Sequence, residues 1–445
     1  MMNEPVLVGN GTVVTLGKNG KVITDGGVLY ANGTIVEVGA FAALKPRAKS
    51  IIDARGRLIM PGLICAHHHL YSTFACGLGF APAKNFVQVL ENLWWKLDRA
   101  LDLEDVFYSA VFPLARCIAS GTTTIFDHHA SPNAIGGSLS RIGDAVRQAG
   151  IRASLCYEVT DRNGAEGAKA GLDESAAWLD AVRQGPQGML HGQVGVHAAM
   201  TVGKETLGRC VELARKFDTG LHIHVSESKF DPEDSQKKYN KRVVARLQDA
   251  GALGDKTLAV HCIHLDDREL DLLAETRTTV VHNPQSNMNN AVGWANIPKM
   301  LARGIPVALG TDGMTSNMLE EARASLFIRH HVSEDPSAGF MDTAKMLFET
   351  NAEVATRYFG RRLGVLEAGA AADLIIVDHI PFTPISADNV FGHLLFGAAA
   401  ERVQTTICNG QVLMKDGLLT TLDMEQLAKQ TASRTVSTWQ RFQKI

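Results

Sequence analysis

No two cysteines of this chain form a CxxC pair. The seven, Cys65, Cys76, Cys117, Cys156, Cys210, Cys262 and Cys408, are scattered and odd in number. That speaks against a disulfide framework or a cysteine-based zinc centre and points to a reducing, cytoplasmic compartment. Basic excess is missing too: Lys+Arg 44 against Asp+Glu 47 leaves a net charge of −3. Nothing here draws in a phosphate backbone or an anionic membrane, so neither nucleic acid nor membrane is an expected partner. No uninterrupted apolar run approaches the ~20 residues needed to cross a bilayer. The opening MMNEPVLVGNGTVV lacks the basic-then-apolar order of a signal peptide. Internal repeats and low-complexity tracts are absent as well.

What is present is an ordinary globular composition, 45% hydrophobic and 20% charged over 445 residues, with 41 glycines and 16 histidines. At ~150 residues per domain the length allows about three domains, or one large barrel with an accessory domain. Residues 1–57 read as short strands broken by turns, with Asn19-Gly20 and Asn32-Gly33 as hairpin signals. The stretch ADLIIVDH and TTICNGQVLMKDGLL near the other end has the same texture, with Asn409-Gly410 between two strands. Between these flanks, apolar strands alternate with helical periods, the pattern of a parallel α/β domain. Eight strand candidates can be counted: 58–69, 122–129, 151–159, 192–198, 221–225, 257–262, 279–283 and 306–312. Eight βα units predict an α/β fold, a (β/α)8 TIM barrel. The expected organisation is a β-sandwich domain formed from both chain ends, 1–57 and 365–445 with a C-terminal helix, around a barrel over 58–364.

Seven of the eight strand candidates carry a His or Asp at or near the C-terminal end: His69, His128, His197, His224, His261, His282 and Asp312. Only the third looks bare. In a barrel those ends converge on one face, where active sites are built. Alternate strand residues share a face, so His67 and His69 point one way and His68 the other. The fifth strand alternates Leu221, Ile223 and Val225 with His222 and His224, and Glu227 follows three residues on. Three imidazoles with the Asp312 carboxylate form an N3O set suited to one Zn2+, or to Fe2+. His222 reads as a buried neighbour of the ligands, and Asp127, His128 and His129 as a supporting layer. His264 reads as a loop residue, and His330 and His331 as solvated residues of a helix. The longest insertion follows strand 1, where Leu90, Leu93, Trp94 and Leu97 share a helical face. Trp94 and Trp95 there can either line a lid over a planar substrate or pack the insertion onto the barrel.

PGLICAHHH, GTTTIFDHH, HIHVSE, AVHC, HNPQSN, ALGTDG and GVLEAGAAADLIIVD follow one another in the order found in the amidohydrolase superfamily. The chain resembles its chlorohydrolase/aminohydrolase branch, which includes guanine, cytosine and S-adenosylhomocysteine deaminases and triazine hydrolases. It is more similar still to the aminohydrolases called SsnA, through NLWWKLDRALD, DHHASPNAIGGSLS and HNPQSNMNN. The resemblance implies His67, His69, His224 and Asp312 as ligands of one divalent metal, zinc first and iron second. It implies Glu227, His261 and Asp312 as catalytic groups and His197 and His282 as substrate contacts, to which the lid reading adds Trp94. GQVGVHAAM holds no lysine to bridge a second metal. Many relatives read H-A-P-Y or H-A-P-F where this chain has His197-Ala198-Ala199-Met200, a difference that bears on pocket shape. The expected reaction is hydrolytic deamination of an aminated nitrogen heterocycle such as a purine-like base, by an enzyme expected to be a homo-oligomer. Water activated at the metal attacks the C–NH2 carbon and ammonia leaves. Two alternatives stay open at this point: the same site hydrolysing another C–N or a C–Cl bond (alkylamine or chloride release, cyclic-amide opening), and a non-catalytic barrel scaffold.

Overall fold

A computed structural model describes residues 4–186 and 188–445. The middle of the chain forms the eight parallel strands of a barrel. They are β1 (Leu63–His68), β2 (Thr122–His129), β3 (Arg152–Tyr157), β4 (Leu190–Gly192 continued by Val194–Ala198), β5 (Leu221–Val225), β6 (Leu258–His261), β7 (Thr279–His282) and β8 (Val307–Leu309). Each pairs in parallel with the next in chain order, and β4 hands the ladder from one sheet to the other at Gln193. The ring closes through a bridge between His68 and Asp312, with the Thr311 and Asp312 amides donating to the His67 carbonyl at 2.9 and 3.1 Å.

The interior below the mouth is apolar where inward residues of neighbouring strands meet: Ile64, Phe126, Leu258, Val260, Val281 and Ala308 form one buried cluster. A helix over Asn351–Phe359 plugs the floor of the barrel. Its Ala355, Tyr358 and Phe359 join that cluster, and the Asn351 side chain bonds the Ile64 and Leu309 carbonyls at 2.7 and 2.9 Å. This plug lets a wide ring of strands have a solid bottom and an open top.

The segment expected as one strand over 58–69 divides in two. Leu58–Pro61 pairs with Leu374–Val377 and Val6–Val14 in the sheet built from the chain ends, and the barrel begins only at Leu63. The break falls at Gly62, where a Cβ would lie 2.3 Å from the Thr123 hydroxyl, so only glycine lets the chain cross there. The terminal sheet has nine strands drawn from both ends of the chain, mostly antiparallel. Its two arms join through two residue pairs, Thr12–Leu58 and Val13–Ile59, and share one core containing Val8, Val28, Ile35, Leu374, Ile376 and Ile407.

The insertion after β1 builds the wall of the cleft. It runs through short helical turns to a helix over Trp95–Ala100 and a longer one over Leu103–Ala119, opened by an Asp102/Asp105 capping box. The C-terminal helix, Met424–Phe442, lies against both. Arg434 pairs with Asp102 and Asp105, Arg441 pairs with Asp105, and the Trp439 indole donates to the Phe74 carbonyl at 2.8 Å. One end of the chain thereby braces the wall that the sequence places some 330 residues earlier. Among the described residues no helix is long and apolar enough to cross a membrane.

Candidate active site

Strand geometry fixes which side chains reach the mouth. β1 carries one residue more than β2 between the pairs Cys65–Ile125 and His68–Asp127, a bulge beside the site. His67 and His69 face the cleft with ring centroids 4.8 Å apart. On β5, His222 and His224 follow the inward parity of Leu258 and Val260. His261 follows the inward Val260 and reaches the site by another route: its φ angle is +69°. Asp312 keeps the inward parity of Ala308, on backbone that is also left-handed at φ +54°. Left-handed backbone is uncommon for residues with a Cβ and costs free energy. At His261 it turns into the cleft a side chain that simple alternation would send outward.

The result is a corner of imidazoles and one carboxylate. Nε2 of His69 lies 3.2 Å from Nε2 of His224 and 3.4 Å from Asp312 Oδ1; Nε2 of His67 is 3.8 Å from the same oxygen. Ligand-type atoms of His67, His69 and Asp312, and of His67, His224 and His261, lie within 4.8 Å of one another. The opposite nitrogens are already committed. His69 Nδ1 donates to the His128 carbonyl at 2.5 Å, His224 Nδ1 to the His197 carbonyl at 2.6 Å, and His67 Nδ1 meets His222 Nε2 at 2.8 Å. Those bonds leave each Nε2 with a bare lone pair turned inward, and His67 Nε2 is buried without a partner. Two lone pairs facing each other at 3.2 Å repel unless a cation lies between them. Imidazoles sharing one tetrahedral ion at ~2.0–2.1 Å stand about 3.3 Å apart. The donor set therefore fits a single divalent metal, with second nitrogens anchored as metal-binding histidines require. Burial, then the neighbouring imidazoles, push the ring pKa values of His67 and His224 well below the ordinary histidine range, the neutral form a metal needs.

The acid–base groups sit beside this corner. Asp312 Oδ2 accepts from the Ser286 hydroxyl at 2.6 Å and lies 3.7 Å from His261 Nε2. Burial alone would raise its pKa, but His69, His261 and Ser286 outweigh burial and hold it below the carboxylate range. Glu227 Oε2 stands 3.5 Å from the same His261 nitrogen. Burial, reinforced by Asp312 and Asp231, pushes the Glu227 pKa well above its ordinary value. His261 donates through Nδ1 to Asn287 Oδ1 at 2.8 Å, which leaves Nε2 free, buried and unpartnered. Two carboxyls with pKa values driven apart flank one imidazole, an arrangement suited to moving protons in two directions.

A cleft with about 740 Å3 of empty space, part of it open to solvent, lies over these groups, lined among others by His69, Trp94, Trp95, His197, Glu227 and Asp312. A π-helical turn over Leu90–Trp94 ends on the first of two tryptophans, and both Trp94 and Trp95 line the cleft with Leu90, while Leu93 and Leu97 are buried beneath. His197 stands on the wall, its Nδ1 bonded to Thr201 Oγ1 at 2.8 Å and its ring 6.1 Å from Trp95. Met200, from the departing His197–Met200 motif, also lines the cleft.

His282 is not brought to it. Val281 is the inward residue of β7, so His282 faces the surrounding helices and lines a separate small cavity with Trp294 and Ser325. It lacks the left-handed turn that rescues His261. The third strand, read as bare, is not: Glu158 directly follows β3, is buried, and lines the cleft. Its Oε1 accepts from His128 Nδ1 at 2.9 Å and lies 3.7 Å from His69 Nδ1. The signal was a lone glutamate inside the apolar run IRASLCYEV. Ser286, Asn287 and Asn290, from the helix Pro284–Asn289 and its end, complete the set that alternation could not reveal. His128 spends both ring nitrogens, on Glu158 and on the His222 carbonyl, and so supports the corner without joining it.

A parallel barrel with three imidazoles and an aspartate at the C-terminal mouth defines a metal-dependent hydrolase. Residues 58–413 match the amidohydrolase family, and the chain belongs to it. It is 31% identical over 429 residues, 96% of each chain, to a 5'-deoxyadenosine deaminase of Methanosarcina mazei. It is 32% identical over 439 residues to a 5-methylthioadenosine/S-adenosylhomocysteine deaminase of Moorella thermoacetica, covering 96% of this chain and 98% of that one. Among solved structures, an adenosine deaminase from Xanthomonas campestris with bound zinc superposes with a TM-score of 0.86 at 25% identity, covering 99% of both chains.

Proposed function

We propose that the chain is a metal-dependent hydrolytic deaminase that acts on an aminated nitrogen heterocycle, a purine-like base or its nucleoside, and that its metal is Zn2+. The observation that carries this reading is the placement of two carboxyl groups on either side of His261 Nε2 beside the imidazole corner, Glu227 with its pKa raised by burial and Asp312 with its pKa held down by His69, His261 and Ser286. The adenosine-type deaminases among its relatives support the substrate class. His67, His69, His224 and Asp312 would hold the ion, which when bound supplies Lewis-acid activation of water and stabilises developing negative charge.

The side chains do the rest. Glu227, whose pKa burial raises well above its ordinary value, donates a proton to the ring nitrogen beside the C–NH2 carbon and makes that carbon electrophilic. Asp312 takes a proton from the attacking water. His261 Nε2 presents a lone pair to the same water, its ring held by Asn287. As the C–NH2 bond breaks, Asp312 passes its proton to the departing amine and the proton of the new hydroxyl returns to Glu227, so amidine plus water becomes lactam plus ammonia and both carboxyl groups are restored. Trp94 and Trp95 give a planar ring two aromatic walls and exclude water.

General acid–base steps contribute about 10²–10⁴-fold each. Glu227→Gln should therefore keep its metal, measured by elemental analysis, and lose at least a hundredfold in ammonia release from aminated purines. Turnover within threefold of the parent would refute the assignment. We also infer a homo-oligomer in a reducing compartment. A ladder of stacked rings, Phe327, Phe396 and Phe340, of which the first two are exposed, supports the first, and seven free cysteines support the second.

A further inference from the structure

One wall of the cleft has a chemistry the deamination steps do not use. Five carboxyl side chains line the cavity, Asp98, Glu158, Glu227, Asp231 and Asp312, and among the described residues no lysine or arginine does. Two of these, Asp98 and Glu158, lie away from the proton-transfer groups, on the wall formed by the insertion and the end of β3. Asp98 is 1% exposed; one carboxylate oxygen pairs with Arg162, while Oδ1 is buried in the wall with no partner. Glu158 gives one oxygen to His128, and no hydrogen bond reaches the other among the described residues. Arg162, the cation beside this wall, is spent on Asp98 and stacks 5.1 Å over the Trp95 ring without lining the cavity. Lys84 and Lys229 line an outer groove that shares only Phe86 and Asn290 with the cleft and also contains Glu91.

We propose that Asp98 and Glu158 set the charge and donor pattern of the substrate: the cleft takes a neutral, N–H- or O–H-rich aminoheterocycle or nucleoside and rejects one that carries an anionic group. This rests on the deaminase reading and narrows it. An unpartnered acceptor in a dry wall is costly, and a substrate donor reaching it recovers that cost. An anionic substituent offers such acceptors no hydrogen and meets repulsion from the Glu158 carboxylate in a cavity of low dielectric, the Asp98 charge being balanced by Arg162. Discrimination built on buried polar groups is stronger than discrimination by apolar shape, because the wrong partner leaves them unpaired.

The test compares adenosine with adenosine 5'-monophosphate, identical at the reacting ring and different by a dianion, on the zinc-loaded full-length enzyme. Ammonia release should give kcat/KM at least a hundredfold higher for adenosine. Glu158→Gln and Asp98→Asn should each narrow that ratio about tenfold or more. Asp98→Asn also frees the Arg162 cation, so the double variant D98N/R162Q, which restores the charge balance, should return the ratio toward the parent value. A merely structural role for Asp98 predicts the opposite, with the double variant no better than the single one. Parent activity on the monophosphate within threefold of adenosine, or a ratio unmoved by both single variants, overturns the inference while leaving the deaminase reading intact. If neither compound releases ammonia, calorimetric binding still decides. Adenosine binding without the monophosphate sustains the charge selection and removes the deaminase reading; binding of both alike, or of neither, overturns the inference.

Discussion

Glu321 shows how a single buried side chain sets a pH dependence. It is fully buried on the helix Met318–Ser333, accepts from the Gln285 amide at 3.0 Å, and leaves its second oxygen unpartnered. Burial pushes its pKa up to about 8 from an ordinary 4.5. The folded chain thus keeps a proton that the unfolded chain releases above about pH 4.5. Its stabilising contribution is complete below that pH and is lost as pH rises through about 8. Between pH 5 and 9 the parent should lose stability relative to Glu321→Gln by on the order of a few kcal/mol, read from denaturation midpoints at each pH. A pH-independent difference would show that the carboxyl is not held neutral. His222 makes a second residue-scale case, because it touches no substrate and acts through His67 Nδ1. Removing a hydrogen-bond partner of a metal-binding histidine costs about 10–100-fold in metal affinity. His222→Ala should show that loss in a chelator competition while its circular dichroism spectrum is unchanged.

At the scale of elements, the meeting of β8 with β1 both closes the barrel and builds the metal corner. Gly310 follows β8 and packs so closely that a Cβ would stand 2.7 Å from the His67 Cβ and 2.9 Å from its backbone nitrogen. Gly310→Ala should cost about 1–3 kcal/mol, the usual range for overpacking. Because the displaced strand carries His67, metal affinity should fall along with the unfolding midpoint. A variant that loses stability but binds metal as before would uncouple closure from the site. The element scale is also where sequence periodicity stops being informative. Alternation places His222 and His224 inward and puts His67 and His69 on one face, yet it gives no hint of the β1 bulge that turns that face to the cleft, nor that His261 turns on left-handed backbone while His282 does not.

Across the whole molecule, the barrel floor and the terminal sheet are tied by one buried ion pair. Arg152 on β3 and Asp373, immediately before the strand Leu374–Val377, are 0% and 3% exposed at their side chains. Asp373 also accepts from the Asn409 amide at 2.6 Å, so one carboxylate joins β3 to the strand Leu374–Val377 and to the turn that follows Val403–Cys408. Removing one partner of a buried pair leaves an uncompensated charge and typically costs about 3–5 kcal/mol. Asp373→Asn should lower stability by that order in urea unfolding. The double replacement of Arg152 and Asp373 by Met and Leu should recover most of it, and failure to recover would mean the pair does more than cancel its own burial.

The chain's local pattern determined a great deal without help. Eight apolar runs, seven of them with His or Asp at the end, Asn-Gly turns at both termini and an HxH at the first strand end are short-range features. They sufficed for the barrel, the split terminal domain and a cluster of metal-type ligands at one mouth. Tertiary structure alone decided the rest, because those matters depend on contacts between residues far apart in the chain. Glu158 becomes a cleft residue only when β3 stands beside His128 and His69, and Ser286 only when its helix meets Asp312. His282 leaves the site because its backbone keeps the alternation that His261 breaks. The proton states of Glu227 and Asp312 separate because burial and the imidazoles act unequally on two carboxyls, and no spacing of letters in the sequence encodes that field.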